Sequence, residues 1–487
     1  MKFHPTNREA ARVSRRDFFG RVSDGLVGTA LASLLSQDLW HPPKAHAAVV
    51  QDLRSRRPHF PASAKSVIQL FMTGGPSQVD LFDPKPALKK HAGDLPRTFL
   101  DNVESVGAAG GLLPSPYNFS RCGTSGLEFS ELLPHLAECA DDIAVIRSMW
   151  TTSFNHEPAV FMMHSGRTGM DSPGFGAWVA YGLGSENENL PAYVALDDPD
   201  RQILLGRQNW QAGFLPPTYQ GTRLRTKGSP LVNLHPEVEA PTPVRDFSRQ
   251  LLRRLAITHR DRRPRQPELD ARIASYELAA RMQISASDTL DLSQEDSATL
   301  SLYGVDNDVT APFARRCLMA RRLVERGVRI VQIYMNCSRS NNPWDHHGGI
   351  KDALPASCAQ TDQPTAALLK DLKERGLLDS TLVVWGGEFG RLPLLQGREN
   401  PGRDHGANGF SIWLAGGGVK GGTAYGATDD FGYHAMENRV SVHDFHATLL
   451  HLLGLDHKRL VYDHHGLDEK LTGVEHARVV REILLRS

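Results

Sequence analysis

A helix followed directly by a short apolar, β-rich run recurs along this chain, and this repetition constrains the fold more than any other feature. The helical segment Phe313–Arg326 precedes Val328–Met335, and a helix predicted to begin at Pro364 precedes Thr381–Trp385. Helices that alternate with buried strands are typical of a mostly parallel sheet covered by helices on both faces. The sequence therefore predicts an α/β fold with a mostly parallel central sheet flanked by helices.

Further segments extend this pattern toward both ends of the chain. Ser66–Met72, Asp142–Ser148 and Ser411–Ala415 read as strands, and Asp444–Leu453 reads as a helix with one apolar face. Residues 240–300 differ, because they are rich in Arg, Gln, Asp and Ser and show helical periodicity without a strand signal. We interpret them as a helical insertion at the surface of one large domain.

The N-terminus has the layout of an export signal. Ser14–Phe19 places paired arginines ahead of the apolar stretch Leu26–Leu35, and Ala45–Ala47 has the small-x-small pattern of a cleavage site. This order predicts a twin-arginine signal peptide over residues 1–47 and a mature domain over residues 48–487. Spanning a bilayer takes roughly 20 apolar residues. The stretch is shorter and no later segment reaches that length, so we expect a periplasmic or extracellular protein without a transmembrane segment.

Composition and cysteine spacing exclude some classes of function. The chain has 55 Lys and Arg against 55 Asp and Glu. A formal charge of zero offers no electrostatic support for nucleic-acid binding, and we expect no nucleic-acid partner. The five cysteines include no C-x-x-C pair. A zinc site built from cysteines is therefore not expected.

Polar residues follow the predicted strands at the points where each strand ends. In a parallel sheet, binding sites form beyond the carboxyl ends of the strands. The residues concerned carry carboxylates and imidazoles: Asp345 and His347 after Val328–Met335, Glu388 and then Asp404 and His405 after Thr381–Trp385, and Asp80 after Ser66–Met72. This donor set predicts a site for a divalent metal, one ion or two, with zinc or manganese favoured over calcium.

Several motifs together resemble the exported bacterial family called Domain of Unknown Function 1501. The motifs are VIQLFMTGGPSQVDLFDPKP, WDHHGG, TLVVWGGEFGR, GRDHGANGFSIWLAGGGVKGG, YGATDDFG and VHDFHATLLHLLGLDH. The family is similar to the alkaline phosphatase and sulfatase superfamily. In that superfamily, one or two metals activate a nucleophile that attacks a phosphate or sulfate ester. The resemblance therefore implies an alkaline phosphatase/sulfatase-like fold and this type of chemistry.

The resemblance also assigns roles to particular residues. Glu388 stands at a metal-binding acid and Phe389 where a histidine is expected, so that His405 would supply the imidazole. Asp345 and His347 resemble the acid and histidine of the other metal position. In the segment FNHEPAVFMMHSGR, His156 occupies the position of the nucleophile. Neither cysteine nor serine is present there, which excludes formylglycine chemistry in this alignment.

Two functions from different classes follow. The leading hypothesis is an exported, metal-dependent hydrolase of phosphate, sulfate or related esters, in which Asn155 and His156 position the ester or carry protons and Arg391 pairs with an anionic oxygen. The missing nucleophile motivates the alternative. That alternative is an inactive member of the superfamily that binds anionic glycans or partner proteins, with its site retained for structure or lost altogether.

Overall fold

The computed structural model describes residues 52–96, 98–99, 109–197, 203–225, 241–263, 267–335, 343–397 and 399–485, except for the side chains of 267–268 and 283–288. Asp52–Ser487 forms one compact unit. The signal peptide predicted for residues 1–47 lies outside the described residues. Within the described part, no helix combines the length and the apolar character that a membrane crossing requires.

The strands are β1 (Ser66–Met72), β2 (Ala109–Leu112), β3 (Phe119–Cys122), β4 (Leu127–Ser130), β5 (Ile143–Trp150), β6 (Tyr193–Asp197), β7 (Thr222–Arg225), β8 (Ile330–Met335), β9 (Thr381–Gly386), β10 (Gly390–Arg391), β11 (Leu394–Gln396), β12 (His405–Gly406), β13 (Phe410–Ala415), β14 (Thr423–Tyr425), β15 (Ala427–Thr428), β16 (Ala435–Glu437), β17 (Val440–Ser441), β18 (Tyr462–His464) and β19 (Leu467–Glu469).

The helices are α1 (Gln78–Leu81), α2 (Pro86–Lys90), α3 (Pro134–Ala137), α4 (His156–Ser165), α5 (Phe175–Leu183), α6 (Thr242–Asp261), α7 (Pro267–Leu290), α8 (Ser297–Tyr303), α9 (Ala311–Glu325), α10 (Ile350–Glu374) and α11 (Val442–Leu452). Short 3₁₀ turns connect several of these elements.

The central sheet has the strand order β14–β5–β13–β9–β1–β8–β6–β7, and β17 also pairs with β5. Strand β1 is parallel to both β8 and β9, and β6 is parallel to both β7 and β8. Strand β13 is antiparallel to its neighbours β5 and β9. The predicted α/β class with a mostly parallel sheet is confirmed.

Both faces of the sheet are buried under helices, as the apolar strands require. Alternate side chains of β1 belong to two different hydrophobic clusters. Ile68 and Leu70 share a cluster with residues of α9 and α10, whereas Val67 and Phe71 share another with residues of α5 and α11. The carboxyl ends of β1, β8 and β9 therefore meet at one edge, held between two packed layers.

The predicted start of a helix at Pro364 is wrong. Helix α10 begins at Ile350 and contains both Pro355 and Pro364. Proline inside a helix removes a backbone hydrogen bond and costs roughly 3 kcal/mol. The helix continues through it because a long face of α10, including Leu354 and Leu368, is buried against the sheet and α9.

Two helices, α6 and α7, occupy most of the segment interpreted as a helical insertion. Residues 226–240 and 264–266 on either side of α6 lie outside the described residues. Arg253 of α6 lies 2.9 Å from Glu277 of α7. Within this segment the two helices are thus joined in part by ion pairs.

Candidate metal centre

Four elements bring their side chains to the carboxyl edge of the central strands. Asp345 follows β8, and Glu388 follows β9 after Gly387. His405 begins the short strand β12, and His156 is the first residue of helix α4. The parallel register of β1 with β8 and β9 fixes the starting points of these loops. The site therefore lies where an open α/β sheet places its ligands.

Asp345 is the centre of a compact cluster of three histidines. Its Oδ1 lies 3.0 Å from Nε2 of His347 and 3.2 Å from Nε2 of His405, and its Oδ2 lies 3.2 Å from Nε2 of His156. One ligand atom from each of these four residues falls within 4.8 Å of all the others. These are the nitrogen and oxygen donors that zinc and manganese accept.

The contacts within this cluster fit a bound cation. The Nε2 atoms of His347 and His405 lie 2.9 Å apart, and both face the same oxygen of Asp345. A single proton among these two nitrogens and one oxygen can form a hydrogen bond in only one of the three contacts. A metal cation can accept an electron pair from all three atoms. The Oε2 atom of Glu388, which is fully buried, also has no hydrogen-bond partner among the described residues. The residues present therefore fit a divalent metal.

Glu388 holds His156 in its orientation. Its Oε1 lies 2.6 Å from Nδ1 of the imidazole and accepts a hydrogen bond of 2.9 Å from the backbone nitrogen of Gly74. Gly74 has φ +117°, and a Cβ at this position would lie 2.6 Å from the backbone nitrogen of Asp345. Glycine is therefore required where the turn after β1 passes against the loop that carries Asp345.

The same surroundings move the pKa values of the histidines in different directions. Burial lowers the pKa of His156, but the carboxylates of Asp345 and Glu388 outweigh it and raise that pKa to about 9. Burial lowers the pKa of His405 to about 4, aided by the charges of Arg391 and His156. His405 is therefore neutral at pH 7, which is the form in which imidazole binds a metal.

Asp345 remains charged under these conditions. Burial opposes its ionisation, but the three histidines and Arg391 hold the pKa of its carboxyl far below the usual range. The pKa of His347 is raised, because contact with Asp345 outweighs the effect of burial. The cluster thus combines a permanent negative charge with imidazoles whose protons a metal would displace.

Arg391 is a buried structural group rather than an exposed cation. Its side chain has 0% exposure and donates to the backbone oxygens of Gly75 and Arg403 at 2.9 and 3.1 Å. It also donates to the backbone oxygen of Gly74 and to Oδ1 of Asp345. The sequence predicts that Arg391 pairs with an anionic oxygen, whereas its contacts in the structure are with the protein itself. It instead fixes the carboxylate at the centre of the cluster.

Asp80 and Asp404 lie outside the inner cluster. Asp80 is fully buried and forms a two-pronged ion pair with Arg403, with distances of 2.7 and 3.0 Å. Asp404 is buried, accepts a hydrogen bond from the backbone nitrogen of His405, and lies 3.8 Å from Nδ1 of His347. Asp404 thus supports two of the histidines, whereas Asp80 supports the loop that carries them.

The structure also shows the positions of three residues to which the sequence gave no role as a metal ligand. His156, predicted to act on the ester, lies within the cluster itself. Asn155 is exposed at the N-terminus of α4, next to His156. Gln396, which was not predicted, places its Oε1 in hydrogen-bond contact with Nδ1 of His347. No motif marks a lone glutamine in a short strand, so only the fold reveals it.

Comparison with known proteins identifies the family. Residues 64–484 match the family described as "Protein of unknown function (DUF1501)". The chain belongs to this family, as the motifs predicted. A search of curated proteins finds no match.

Solved structures with a similar arrangement include three enzymes. The PsFucS1 sulfatase from Pseudoalteromonas sp. is 12% identical, with 82% of this chain and 68% of that chain covered and a TM-score of 0.33. The phosphonate monoester hydrolase SpPMH from Silicibacter pomeroyi is 12% identical, with 73% and 72% covered and a TM-score of 0.35. The lipoteichoic acid synthase LtaP from Listeria monocytogenes is 11% identical, with 88% and 80% covered and a TM-score of 0.35.

Proposed function

We propose that this protein is an exported, metal-dependent hydrolase of phosphate, sulfate or related esters. The convergence of His156, His347 and His405 on the carboxylate of Asp345 is the observation that carries this proposal. A divalent metal, when bound, acts as a Lewis acid toward an ester oxygen and makes water more acidic. Zinc and manganese are the ions that suit three imidazoles and one carboxylate.

The residues around the cluster would keep it in the geometry that binding requires. Asp345, His347, His405 and His156 would hold the ion, with the unpartnered Oε2 of Glu388 as a further donor, while Arg391 would orient Asp345. Outer hydrogen-bond partners of this kind fix the orientation of metal ligands and commonly change metal affinity 10- to 100-fold when removed. Glu388 would do this for His156, and Asp404 with Gln396 would do it for His347.

The contacts of His156 favour attack by water over a covalent intermediate. Its Nδ1 is held by Glu388 at 2.6 Å, and its Nε2 faces Asp345 at 3.2 Å. A nucleophilic imidazole needs a ring nitrogen free to reach the ester. In our proposal His156 therefore acts as a ligand or carries a proton, and Asn155, exposed beside it, contacts the ester.

Both ring nitrogens of His156 lie against carboxylates, so that neither is free to attack an ester. This observation also supports the second candidate, a protein that binds an anionic glycan or partner without turning it over. Such a protein keeps the metal but has no attacking group. Both candidates place the metal on the same residues. Turnover is therefore what separates them.

The test is hydrolysis of a chromogenic panel by the protein loaded with zinc or with manganese. Nitrophenyl esters of phosphate, sulfate and phosphonate represent the substrate classes. We expect turnover of at least one ester, lost in His347→Ala and His156→Ala but retained in His476→Ala, a matched change at an exposed histidine. Metal bound in full with no turnover of any ester would instead support the binding role.

Export rests on the N-terminal sequence and has its own test. Replacing Arg15 and Arg16 by lysine preserves charge but removes the paired arginines that the twin-arginine route reads. We expect the variant chain to stay in the cytoplasm, while the unaltered chain reaches the exported fraction. Equal export of both chains would contradict this part of the proposal.

A further inference from the structure

Helix α6 (Thr242–Asp261) exposes its apolar side. With 20 residues it is about 30 Å long, at 1.5 Å per residue. None of its residues is buried. Its large apolar side chains are between 46% and 66% exposed, and we call them the apolar stripe: Val244, Phe247, Leu251, Leu252 and Leu255.

The spacing of these residues puts them on one face of the helix. Val244, Phe247, Leu251 and Leu255 follow one another at intervals of three or four residues, and Leu252 lies beside them. An amphipathic helix at the surface of a domain ordinarily turns such a stripe toward the core. Helix α6 presents it to solvent instead, since no described residue covers it.

The opposite, more polar face of α6 turns toward the protein. The residues of this face that are partly shielded from solvent recur at helical spacing: Arg249, Ala256, Ile257 and Arg260. Arg260 lies 3.5 Å from Asp270 on α7, and Arg253 pairs with α7 in the same way. Ion pairs thus hold the helix with its apolar stripe outward. The exposed side of the helix therefore offers both apolar and charged groups to a partner.

The charge around the stripe identifies the chemistry of that partner. Residues 242–263 contain seven arginines and two aspartates, a local net charge of 7 − 2 = +5 in a chain whose formal charge is zero. At about 100° per residue, Arg245 and Arg254 lie on opposite rims of the stripe. Both are exposed. Two copies of α6 packed by their stripes would bring these cationic rims together, which disfavours self-association.

We propose that α6 docks the protein onto an anionic phospholipid bilayer. In such a complex the apolar stripe enters the boundary between headgroups and acyl chains, and the rim arginines meet lipid phosphates. An interfacial helix of this kind combines a large apolar face, flanking arginines and a low overall hydrophobicity. The proposal is independent of the metal centre, because none of the residues involved belongs to it.

Vesicle co-sedimentation of the chain without residues 1–47 tests the proposal, and this cut leaves the compact unit Asp52–Ser487 whole. The probes are vesicles of equal parts phosphatidylglycerol and phosphatidylethanolamine, with phosphatidylcholine vesicles as the neutral reference. We expect binding to the anionic vesicles, at least about 10-fold weaker after Leu251→Ser with Leu255→Ser. Arg245→Gln with Arg254→Gln should weaken it about 30-fold at low salt, from about 1 kcal/mol per arginine.

The matched control is Tyr276→Ser on α7, which removes another side chain with 60% exposure that lies outside the stripe. This variant should bind as tightly as the unaltered chain, and the thermal midpoints of all variants should agree, since every substituted side chain is exposed. Equal sedimentation with neutral and anionic vesicles would overturn the proposal. So would a concentration-dependent dimer in light scattering that Leu251→Ser dissociates, because the stripe would then bind a second copy.

Discussion

Replacing Arg391 by methionine removes a fully buried guanidinium while keeping much of the apolar volume of the side chain. The guanidinium donates hydrogen bonds to the backbone oxygens of Gly75 and Arg403 and to the carboxylate of Asp345. Deleting one partner of a fully buried ion pair costs about 3–5 kcal/mol, and the cost here is smaller because Asp345 is 16% exposed and keeps its histidine contacts. The orphaned carbonyls add to this, at about 1–3 kcal/mol each. We therefore expect Arg391→Met to lower the free energy of unfolding of the metal-free protein by at least about 4 kcal/mol.

Urea unfolding followed by circular dichroism measures this change. Arg439→Met is the matched control, since Arg439 is exposed and surface changes of this kind stay within about 0.5 kcal/mol. The sequence alone predicted a different role for Arg391, that of binding an anionic oxygen. If Arg391→Met unfolds at the same urea concentration as the unaltered protein but is no longer stabilised by inorganic phosphate or sulfate, our reasoning from burial is refuted.

Three further predictions address other parts of the site and the core. Gly74→Ala should lower metal affinity at least about 10-fold, because its Cβ would lie 2.6 Å from the backbone of Asp345, while Gly169→Ala, with nothing within 4 Å, should not. Burial lowers the pKa of His164 to about 3, against 6.5 when unfolded, so its stabilising contribution is complete above pH 6.5 and lost as pH falls toward 3. At pH 4.5 this loss is about 3 kcal/mol, which His164→Phe should remove; parallel pH–stability curves for the two proteins would contradict it. Asp80→Asn should destabilise the fold by breaking the ion pair with Arg403, yet leave the metal content per folded chain unchanged; loss of metal from a folded variant would make Asp80 a ligand.

The fold was largely predictable because it rests on apolar runs of strand length. Ser66–Met72 lies where the sequence placed the first strand, and the parallel pairing of β1 with β8 and β9 follows from the intervening helices. The start of a helix at Pro364 was predicted wrongly. The backbone preference of proline favours a helix start, and the packing of α10, which overrides this preference, cannot be read from local sequence. Local sequence likewise gave no sign that α6 would expose its apolar stripe, which depends on how it packs against α7.

The residues of the candidate metal centre could be named from the sequence, but their geometry could not. Sequence reasoning placed acids and histidines after successive strands, and the fold brings Asp345, His347 and His405 into contact. It could not show that Asp80 forms an ion pair with Arg403 while Asp345 faces the histidines, because both are carboxylates near the end of a strand. His156 was predicted as a site residue from its position in a motif. Its contact with Asp345 across the site appears only in three dimensions.

The metal content of the purified protein tests the central claim most directly. Inductively coupled plasma mass spectrometry of the folded chain, beside His347→Ala and His476→Ala, gives metal per protein. His347 is 35% exposed, so its removal should leave the fold intact. We predict zinc or manganese, at one or two equivalents, in the unaltered protein and in His476→Ala, with at least about a 10-fold loss in His347→Ala. A folded protein that holds neither metal, even after incubation with both, or a His347→Ala variant that keeps its full complement, would contradict the account.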